Sequence, residues 1–235
     1  MTQSVKHLRR SLWDCSGKFS QSDHERMLRV MTRREMQGIN RDWRMWGRLG
    51  KQLPPDELDW RSWLILGGRG AGKTRAGAEW VKAQALGDWT HGAPQARRIA
   101  IVGPTLDQAR SVMIEGKSGL LSIHMEAERP LYEPSKRLIT WPNGAVAQVF
   151  SADEPESLRG PQFDAAWCDE LAKWRLGEQA WDMLAFALRL GEFPRAVITT
   201  TPRPVPLLKR LLADPATAVT RTATFDNATN LAKSF

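Results

Sequence analysis

The sequence predicts an α/β fold, a mainly parallel sheet with helices on both faces, preceded by an N-terminal helical extension. Apolar strand candidates alternate with helical stretches, as expected of parallel strands joined by crossover helices. A glycine-rich turn joins the first strand to the first helix, and the 42% hydrophobic and 26% charged content is typical of a globular protein. The strand candidates are residues 62–67, 97–103, 163–169, 195–201 and 217–224, and the helical stretches are 73–86, 105–116, 178–190 and 204–213.

The glycine-rich turn is the most informative segment of the chain. It reads Gly67-Gly68-Arg69-Gly70-Ala71-Gly72-Lys73-Thr74 and fits the pattern G-x-x-x-x-G-K-[ST] between a strand and a helix. Glycines let the backbone N–H groups surround an anion, and the helix start adds the positive end of its dipole. Lys73 can contact the β- and γ-phosphates and Thr74 can bind Mg²⁺. The turn predicts a nucleoside triphosphate site, with a plain glycine-rich turn as the alternative.

A β-hairpin is predicted between the second and third strands. Residues 137–140 and 145–150 flank Pro142-Asn143-Gly144. Asn-Gly between two strand-like segments is a strong signal for a tight turn. This pair of strands is therefore expected to be antiparallel within an otherwise parallel sheet.

The strand at 163–169 ends in two carboxylates, Asp169 and Glu170. The first is placed to hold Mg²⁺ from a strand near the phosphate loop, and the second to orient and deprotonate a water molecule. Two adjacent acids favour hydrolysis over transfer to a substrate hydroxyl. The alternative is a strand that ends in a solvated acidic turn.

A further strand ends in three hydroxyl residues, Thr199, Thr200 and Thr201, followed by Pro202. Hydroxyls at the carboxyl end of a parallel strand face the crevice where such sheets bind ligands. They can sense the γ-phosphate or the hydrolytic water, although threonine is also simply a good strand former.

Three polar residues near these motifs are further candidates for the site. Arg69 lies inside the phosphate loop and either stabilises charge on the transferred phosphoryl group or points into solvent. Arg159 lies before the acidic strand and either faces a neighbouring subunit's nucleotide or DNA, or is a turn residue. Gln52 can read the edge of adenine, because its amide both donates and accepts hydrogen bonds.

The positive charge is concentrated near the N-terminus. The formal net charge is +8, and residues 1–50 hold 11 Lys or Arg against 5 Asp or Glu, a net charge of +6. Ser22-Asp23-His24-Glu25 has the pattern of a capping box, so we expect a basic tail followed by a helix. A basic face favours a polyanion such as DNA, and a solvated helix without a partner is the alternative.

Composition excludes several classes of protein. No apolar run approaches the roughly 20 residues that span a bilayer, and the N-terminus lacks the apolar stretch of a secretory signal. Cys15 and Cys168 make neither a disulfide framework nor a metal cluster, and Cys168 is expected in the core. A reducing cytoplasm and no membrane association are therefore expected.

Together these segments resemble the ATPase domain of the large terminase subunit, the motor that packages DNA into tailed-phage heads. The resemblance covers roughly residues 40–232 and is nearest to the branch found in prophages and gene transfer agents of alphaproteobacteria. It implies a P-loop NTPase of the additional-strand catalytic-glutamate type, in which the threonine strand lies between the phosphate-loop strand and the acidic strand. The matching segments are residues 63–80, 157–164, 167–171 and 199–202.

The resemblance also implies a role for each matching residue. Lys73 and Thr74 would bind phosphate and Mg²⁺, Arg69 would assist hydrolysis, and Asp169 and Glu170 would be the metal carboxylate and the catalytic glutamate. The remaining matches are the threonines at 199–201, which would couple hydrolysis to DNA movement, and Gln52, which would read adenine.

The implied ligands are ATP and Mg²⁺. The implied partners are double-stranded DNA, the portal protein, the small terminase subunit and further copies of the chain in a homo-oligomeric ring. The implied location is the bacterial cytoplasm, at the portal vertex of the procapsid.

The sequence departs from the family in one respect. Large terminases carry a second, nuclease domain with a cluster of metal-binding acids, and this chain stops where the linker to that domain would begin. We therefore expect a basic tail and helix at 1–50, a P-loop ATPase domain at 51–225, the start of a linker at 226–235, and no nuclease activity. The alternatives are a helicase- or recombination-type DNA-dependent ATPase and a non-catalytic terminase remnant that binds nucleotide and DNA or portal.

Overall fold

The computed structural model describes residues 50–55, 59–87 and 96–230, together with residues 30, 32, 43, 47 and 48. The chain divides into two compact units, residues 1–48 and 49–235. The predicted capping box at 22–25, most of the predicted basic tail and helix, and the end of the predicted linker lie outside the described residues. The fold below is that of the second unit.

The described part of this unit contains eight strands and five α-helices. The strands are Ser62–Gly67 (β1), Arg98–Gly103 (β2), Leu131–Glu133 (β3), Leu138–Thr140 (β4), Val146–Ser151 (β5), Ala165–Asp169 (β6), Arg195–Thr200 (β7) and Thr217–Thr222 (β8). The helices are Lys73–Leu86 (α1), Leu106–Gln108 (α2, continued by a π-helix at Ala109–Ile114), Leu120–Ile123 (α3), Gly177–Ala187 (α4) and Pro206–Ala213 (α5).

The strands form one sheet in the order β3-β4-β5-β2-β6-β7-β1-β8. All pairs from β5 to β8 along this order are parallel, and only β3–β4 and β4–β5 are antiparallel. The predicted mainly parallel sheet and the predicted hairpin are both confirmed. The threonine strand β7 lies between the phosphate-loop strand β1 and the acidic strand β6, as the family resemblance implied. Three candidate motifs therefore end side by side at one edge of the sheet.

Helices cover both faces of the sheet. Cys168 and Ile198 belong to a buried cluster with residues of α4 and α5, such as Leu184. The neighbouring Trp167 packs against Gly77 of α1, where an added Cβ would collide with the indole. Consecutive residues of a strand point to opposite faces, so α1 lies on one side and α4 and α5 on the other. Burial raises the pKa of the Cys168 thiol, as expected of an unreactive core cysteine.

Two predicted boundaries are wrong by a few residues, for a shared reason. The strand predicted from residue 163 begins at Ala165, and the helix predicted to reach residue 190 ends at Ala187. The Phe163 amide donates to Ala187 O at 2.8 Å, and Phe163 O accepts from the amides of residues 189 and 190. The backbone of Phe163 thus pairs with the chain leaving α4, which no local pattern could indicate.

The helix predicted at 105–116 is also only partly right. It begins as α2 and becomes a π-helix at Ala109–Ile114, closed by a bond from the Glu115 amide to Arg110 O at 2.9 Å. Residues Ala109, Met113 and Ile114 are buried. Apolar spacing does not distinguish a π turn from an α turn, since π-helices are rare and short.

Candidate functional site

Lys73 joins the phosphate loop to the end of β7 and lies within electrostatic range of the two acids. The Lys73 amine donates to Gly67 O at 2.9 Å, to Gly68 O at 2.8 Å and to Thr201 Oγ1 at 3.4 Å. Burial lowers the pKa of Lys73, and the charges of Glu170 and Asp169 act in the opposite direction. The structure therefore brings together residues that lie nearly one hundred positions apart in the sequence.

The carbonyl groups of the phosphate loop are all engaged by side chains. Besides the two that Lys73 contacts, Arg69 O accepts from Thr224 Oγ1 at 2.8 Å and Gly70 O accepts from Asn227 Nδ2 at 2.6 Å. Ala71 O and Gly72 O both accept from the amide nitrogen of Gln52, at 3.4 Å and 3.3 Å. Peptide C=O and N–H groups point in opposite directions. Fixing a carbonyl therefore also fixes the direction of the N–H group in the same peptide, and oriented N–H groups are what an anion site needs.

Gly72 is required where the loop enters α1. It has φ 83°, in the left-handed region, and an added Cβ would collide with the Gln52 amide. Glycine adopts this conformation at little cost, whereas a side chain would be strained and would displace Gln52. Gln52 is itself buried. The glutamine and the glycine together shape the end of the loop.

Asp169, at the end of β6, is a buried carboxylate tied to the neighbouring strand. Thr199 Oγ1 donates to Asp169 Oδ1 at 2.6 Å, and Trp167 Nε1 donates to the same threonine oxygen at 3.0 Å. Burial raises the pKa of Asp169 to about 6, against the lowering effect of the Thr199 hydrogen bond. This carboxylate therefore lacks full compensation for its charge, a state typical of residues that bind a cation.

Glu170 follows with a strained backbone. Its φ is 48° and its ψ is 42°, a left-handed conformation that costs a non-glycine residue about 1–2 kcal/mol. Its Oε2 atom is buried and makes no hydrogen bond, and the Lys173 amine lies 3.6 Å away. Strain and an unsatisfied carboxylate oxygen are characteristic of residues kept for chemistry rather than for stability.

The short turn after Glu170 fixes this strained conformation. The Ala172 amide donates to Thr200 Oγ1 at 3.0 Å, and Trp174 Nε1 donates to Asp169 O at 3.0 Å. Both Leu171 and Trp174 are buried. The packed turn holds the two acids in one arrangement at the edge of the sheet.

The three threonines at the end of β7, the last of which follows the strand, contact three different parts of the site. Thr199 donates to Asp169, Thr200 accepts from the turn after Glu170, and Thr201 accepts from Lys73. Each hydroxyl is thus placed by the strand order rather than by any local motif. The end of β7 therefore connects Lys73 of the phosphate loop with the Asp169 carboxylate and with the turn after Glu170.

The residues present fit a magnesium ion. Thr74 lies in the first turn of α1 and offers a hydroxyl, and Asp169 offers a carboxylate, both of which are hard oxygen ligands. Among the described residues there is no group of three or more His, Cys, Asp or Glu that could hold a metal. Magnesium at phosphate sites usually takes one or two protein oxygens and completes its shell with water and phosphate.

The remaining predicted residues lie as follows. Arg69 is exposed, and its carbonyl rather than its side chain has the contact described above. Arg159 is exposed and pairs with Glu156 at 3.2 Å, three residues earlier. The structure therefore gives neither arginine a contact with Lys73 or the acids.

Three residues of the site were missed in the sequence. Thr224 and Asn227 reach the phosphate loop across more than 150 positions, and Lys173 reaches Glu170 through a single turn. The first two are ordinary polar residues after the last strand, and no local signal could identify them. Lys173 could have been found, because a lysine three residues after Glu170 lies on the same side of a tight turn.

A strand, a phosphate-binding loop and a helix, with an acidic strand two places away in a parallel sheet, define a nucleotide-binding protein of the P-loop NTPase class. The chain belongs to the terminase large-subunit family: the model described as "Terminase large subunit, T4likevirus-type, N-terminal" matches residues 64–234. Within the described residues, no helix is both long and apolar enough to cross a membrane.

Solved terminase structures have a similar fold. The ATPase domain of the Thermus phage P74-26 large terminase has a TM-score of 0.51 and 16% identity, over 77% of this chain and 87% of that one. A large terminase from a thermophilic bacteriophage, solved in complex with ADP, has a TM-score of 0.56 and 17% identity, over 86% of this chain and 48% of that one. The chain thus spans about half the length of the second protein. No curated protein matches the sequence.

Proposed function

We propose that this chain hydrolyses ATP and that hydrolysis powers the movement of double-stranded DNA into a phage or phage-like capsid. Membership of the terminase large-subunit family supports a packaging role. The observation that carries the proposal is the position of Lys73, which contacts two phosphate-loop carbonyls and Thr201 and lies within electrostatic reach of Asp169 and Glu170. A related terminase was solved with ADP, which supports a nucleotide at this loop.

In this proposal the loop N–H groups at 67–72 and Lys73 bind the phosphates of ATP. Thr74 and Asp169 would hold Mg²⁺, which neutralises phosphate charge when bound. Glu170, whose Oε2 accepts no hydrogen bond, orients the attacking water and takes its proton. Arg69 stabilises the charge that develops on the γ-phosphate, and Gln52 contacts adenine, as the family resemblance implies.

The coupling of hydrolysis to motion is assigned to β7. Thr199 contacts Asp169, Thr200 contacts the turn after Glu170 and Thr201 contacts Lys73, so a change of charge at the γ-phosphate would alter contacts that converge on the end of one strand. Movement of DNA would be independent of sequence, because contacts to phosphates carry no base information. Arg159 is exposed and pairs with Glu156 rather than with residues of the site, so it can face a neighbouring subunit or DNA.

The proposed partners follow from the family and from charge. Double-stranded DNA fits the net charge of +8, and the portal protein, the small terminase subunit and a ring of identical subunits fit a packaging motor. The proposed setting is the bacterial cytoplasm, at the portal vertex. We assign the chain to the prophage and gene-transfer-agent branch of alphaproteobacteria on its motif sequences, such as Trp167-Cys168-Asp169-Glu170-Leu171.

Steady-state ATPase assays with and without double-stranded DNA test the proposal. The wild-type chain should hydrolyse ATP slowly alone and faster with DNA. Lys73→Ala should weaken ATP binding about 10- to 100-fold, because it removes a charge-assisted contact to phosphate. The control is Lys209→Ala, which removes an exposed lysine of α5 and should leave binding unchanged.

The outcomes separate the competing functions. Strand unwinding by the wild-type protein would indicate a helicase. Nucleotide binding without turnover, at any DNA concentration, would indicate a non-catalytic remnant. Equal ATP affinity of wild type and Lys73→Ala would contradict the assignment of the phosphate loop.

A further inference from the structure

The phosphate loop is held from outside by a segment that follows the last strand. We call residues 222–227 the strap. Thr224 Oγ1 donates to Arg69 O at 2.8 Å and Asn227 Nδ2 donates to Gly70 O at 2.6 Å. These are the two loop carbonyls that neither Lys73 nor Gln52 contacts. The strap therefore fixes the two peptide groups at 69 and 70 whose carbonyls Lys73 and Gln52 do not hold.

The strap has its own internal order. The Ala223 amide donates to Asp226 Oδ2 at 2.7 Å, and Thr222 pairs with Gly67 in the β1–β8 ladder. The Lys51 amine lies 2.6 Å from Asp226 Oδ1, and Lys51 O accepts from Thr220 Oγ1 at 3.3 Å. Lys51 is next to Gln52, the residue that holds the other end of the loop. The segment with Lys51 and Gln52 and the strap, which both hold the loop, are thus joined to each other through Lys51.

We propose that Thr224 and Asn227 are positioning residues for nucleotide, acting through the carbonyls of Arg69 and Gly70. The proposal rests on the proposed function, since it concerns the same phosphate loop. A loop whose peptide groups are fixed before the ligand arrives has its N–H donors already oriented, and ordering the loop adds less to the cost of binding. Releasing the strap lets these two peptide groups rotate, and the anion site loses its preorganised donors.

Docking of the strap on the loop and binding of nucleotide are therefore thermodynamically linked. If docking of the strap strengthens nucleotide binding, nucleotide binding strengthens docking of the strap by the same factor. A force or a partner that displaces the chain at residues 222–227 would weaken nucleotide binding, and bound nucleotide would resist the displacement. Nucleotide affinity thereby depends on a segment that lies outside the phosphate-loop motif.

Two variants and two matched controls test the strap. Asn227→Ala and Thr224→Val should each weaken binding of a fluorescent ADP analogue about three- to tenfold, the loss expected for one hydrogen bond. The KM for ATP should rise by a similar factor while kcat changes less than about twofold. Asn143→Ala removes an amide-to-carbonyl bond of 2.8 Å at Ala85, and Ser122→Ala removes a hydroxyl-to-carbonyl bond of 2.8 Å at Gly116. Both controls should leave KM unchanged.

Hydrogen exchange of the wild-type protein gives an independent measurement. Saturating ADP should slow exchange of the amides at 222–227, and the effect should shrink in Asn227→Ala. Both strap variants could have the ADP affinity and the KM for ATP of wild type, and ADP could fail to protect the amides at 222–227. That result would show that the positioning role of the strap is wrong, and the proposed function would stand. Failure of the wild-type protein to bind ADP would instead overturn the proposed function, and the strap with it.

Discussion

Two regions of the same sheet bury polar side chains in opposite ways. At the hairpin flank, which we define as residues 120–151, His124 is buried with both ring nitrogens bonded. Its Nδ1 lies 2.6 Å from Leu120 O, and its Nε2 accepts from Trp141 Nε1 at 2.9 Å. These partners require a neutral imidazole with its proton on Nδ1. Burial lowers the pKa of His124 to about 4, so the group stays uncharged near neutral pH.

The other region is the carboxyl edge of β6, β7 and β1. Here Lys73 and Asp169 are buried as ionisable groups, Glu170 has a left-handed backbone, and its Oε2 makes no hydrogen bond. A fully bonded neutral group contributes to stability, whereas charge, strain and an unsatisfied oxygen cost stability and persist where function requires them. Substitutions at the hairpin flank should therefore lower stability without changing ATP binding or turnover, and substitutions at the carboxyl edge should lower ATP binding or turnover.

The largest expected effect is that of Glu170→Gln. The variant keeps the size of the side chain but cannot take a proton from water, so kcat should fall about 10²- to 10⁴-fold. The free energy of unfolding should fall by less than about 1 kcal/mol, because Oε2 accepts no hydrogen bond and the ion pair that is lost, with the exposed Lys173 amine at 3.6 Å, is a weak one. Steady-state ATPase rates and thermal unfolding measure the two quantities.

Glu178→Gln is the matched control for this substitution. Glu178 is an exposed residue in the first turn of α4, so the change removes the same charge outside the site. It should leave kcat within about twofold of wild type, as expected for a surface charge. If Glu170→Gln and Glu178→Gln have equal kcat values, the carboxyl edge is not specialised for turnover, and its contrast with the hairpin flank fails.

The second prediction concerns the pH dependence of stability at the hairpin flank. The pKa of His124 is lowered from 6.5 to about 4, so the unfolded chain binds a proton between these values and the folded chain does not. The contribution of His124 is present in full above pH 6.5 and is lost as pH falls towards 4. Wild type should lose up to about 3 kcal/mol more than His124→Gln over this range.

Chemical denaturation at pH 7 and pH 4.5 measures this difference. The charged groups that act on His124 are Lys82, Glu128 and Arg129, and both proteins retain them. Their titration therefore cancels in the comparison. Parallel pH profiles of the two proteins would show that His124 is not held neutral.

The sequence predicted the parts of the site that depend on local patterns. The phosphate loop has a fixed residue spacing, and the acids and threonines each end an apolar strand, so their common edge followed from strand direction. The central position of β7 was implied by family resemblance, since no local pattern orders parallel strands.

Contacts that depend on tertiary packing could not be predicted. The apolar spacing carries no mark of the π-helix at Ala109–Ile114, and the bonding of Phe163 to the end of α4 joins residues that are distant in sequence. The same holds for Thr224 and Asn227, which contact the loop only because β8 pairs with β1. His124 and Trp141 lie 17 positions apart and carry no motif that signals their bond.

The smallest predicted effect is that of Trp141→Phe, which most directly separates the two regions. The substitution removes the indole N–H and leaves the buried Nε2 of His124 without its donor, a loss of about 1–3 kcal/mol in the free energy of unfolding. Turnover of folded protein and KM for ATP should match wild type, because the bond lies among residues that contact neither the loop nor the acids. Denaturant unfolding and ATPase assays at 25 °C measure both. A fall in kcat without loss of stability would mean that the hairpin flank takes part in turnover, and the assignment of its buried histidine to stability alone would be wrong.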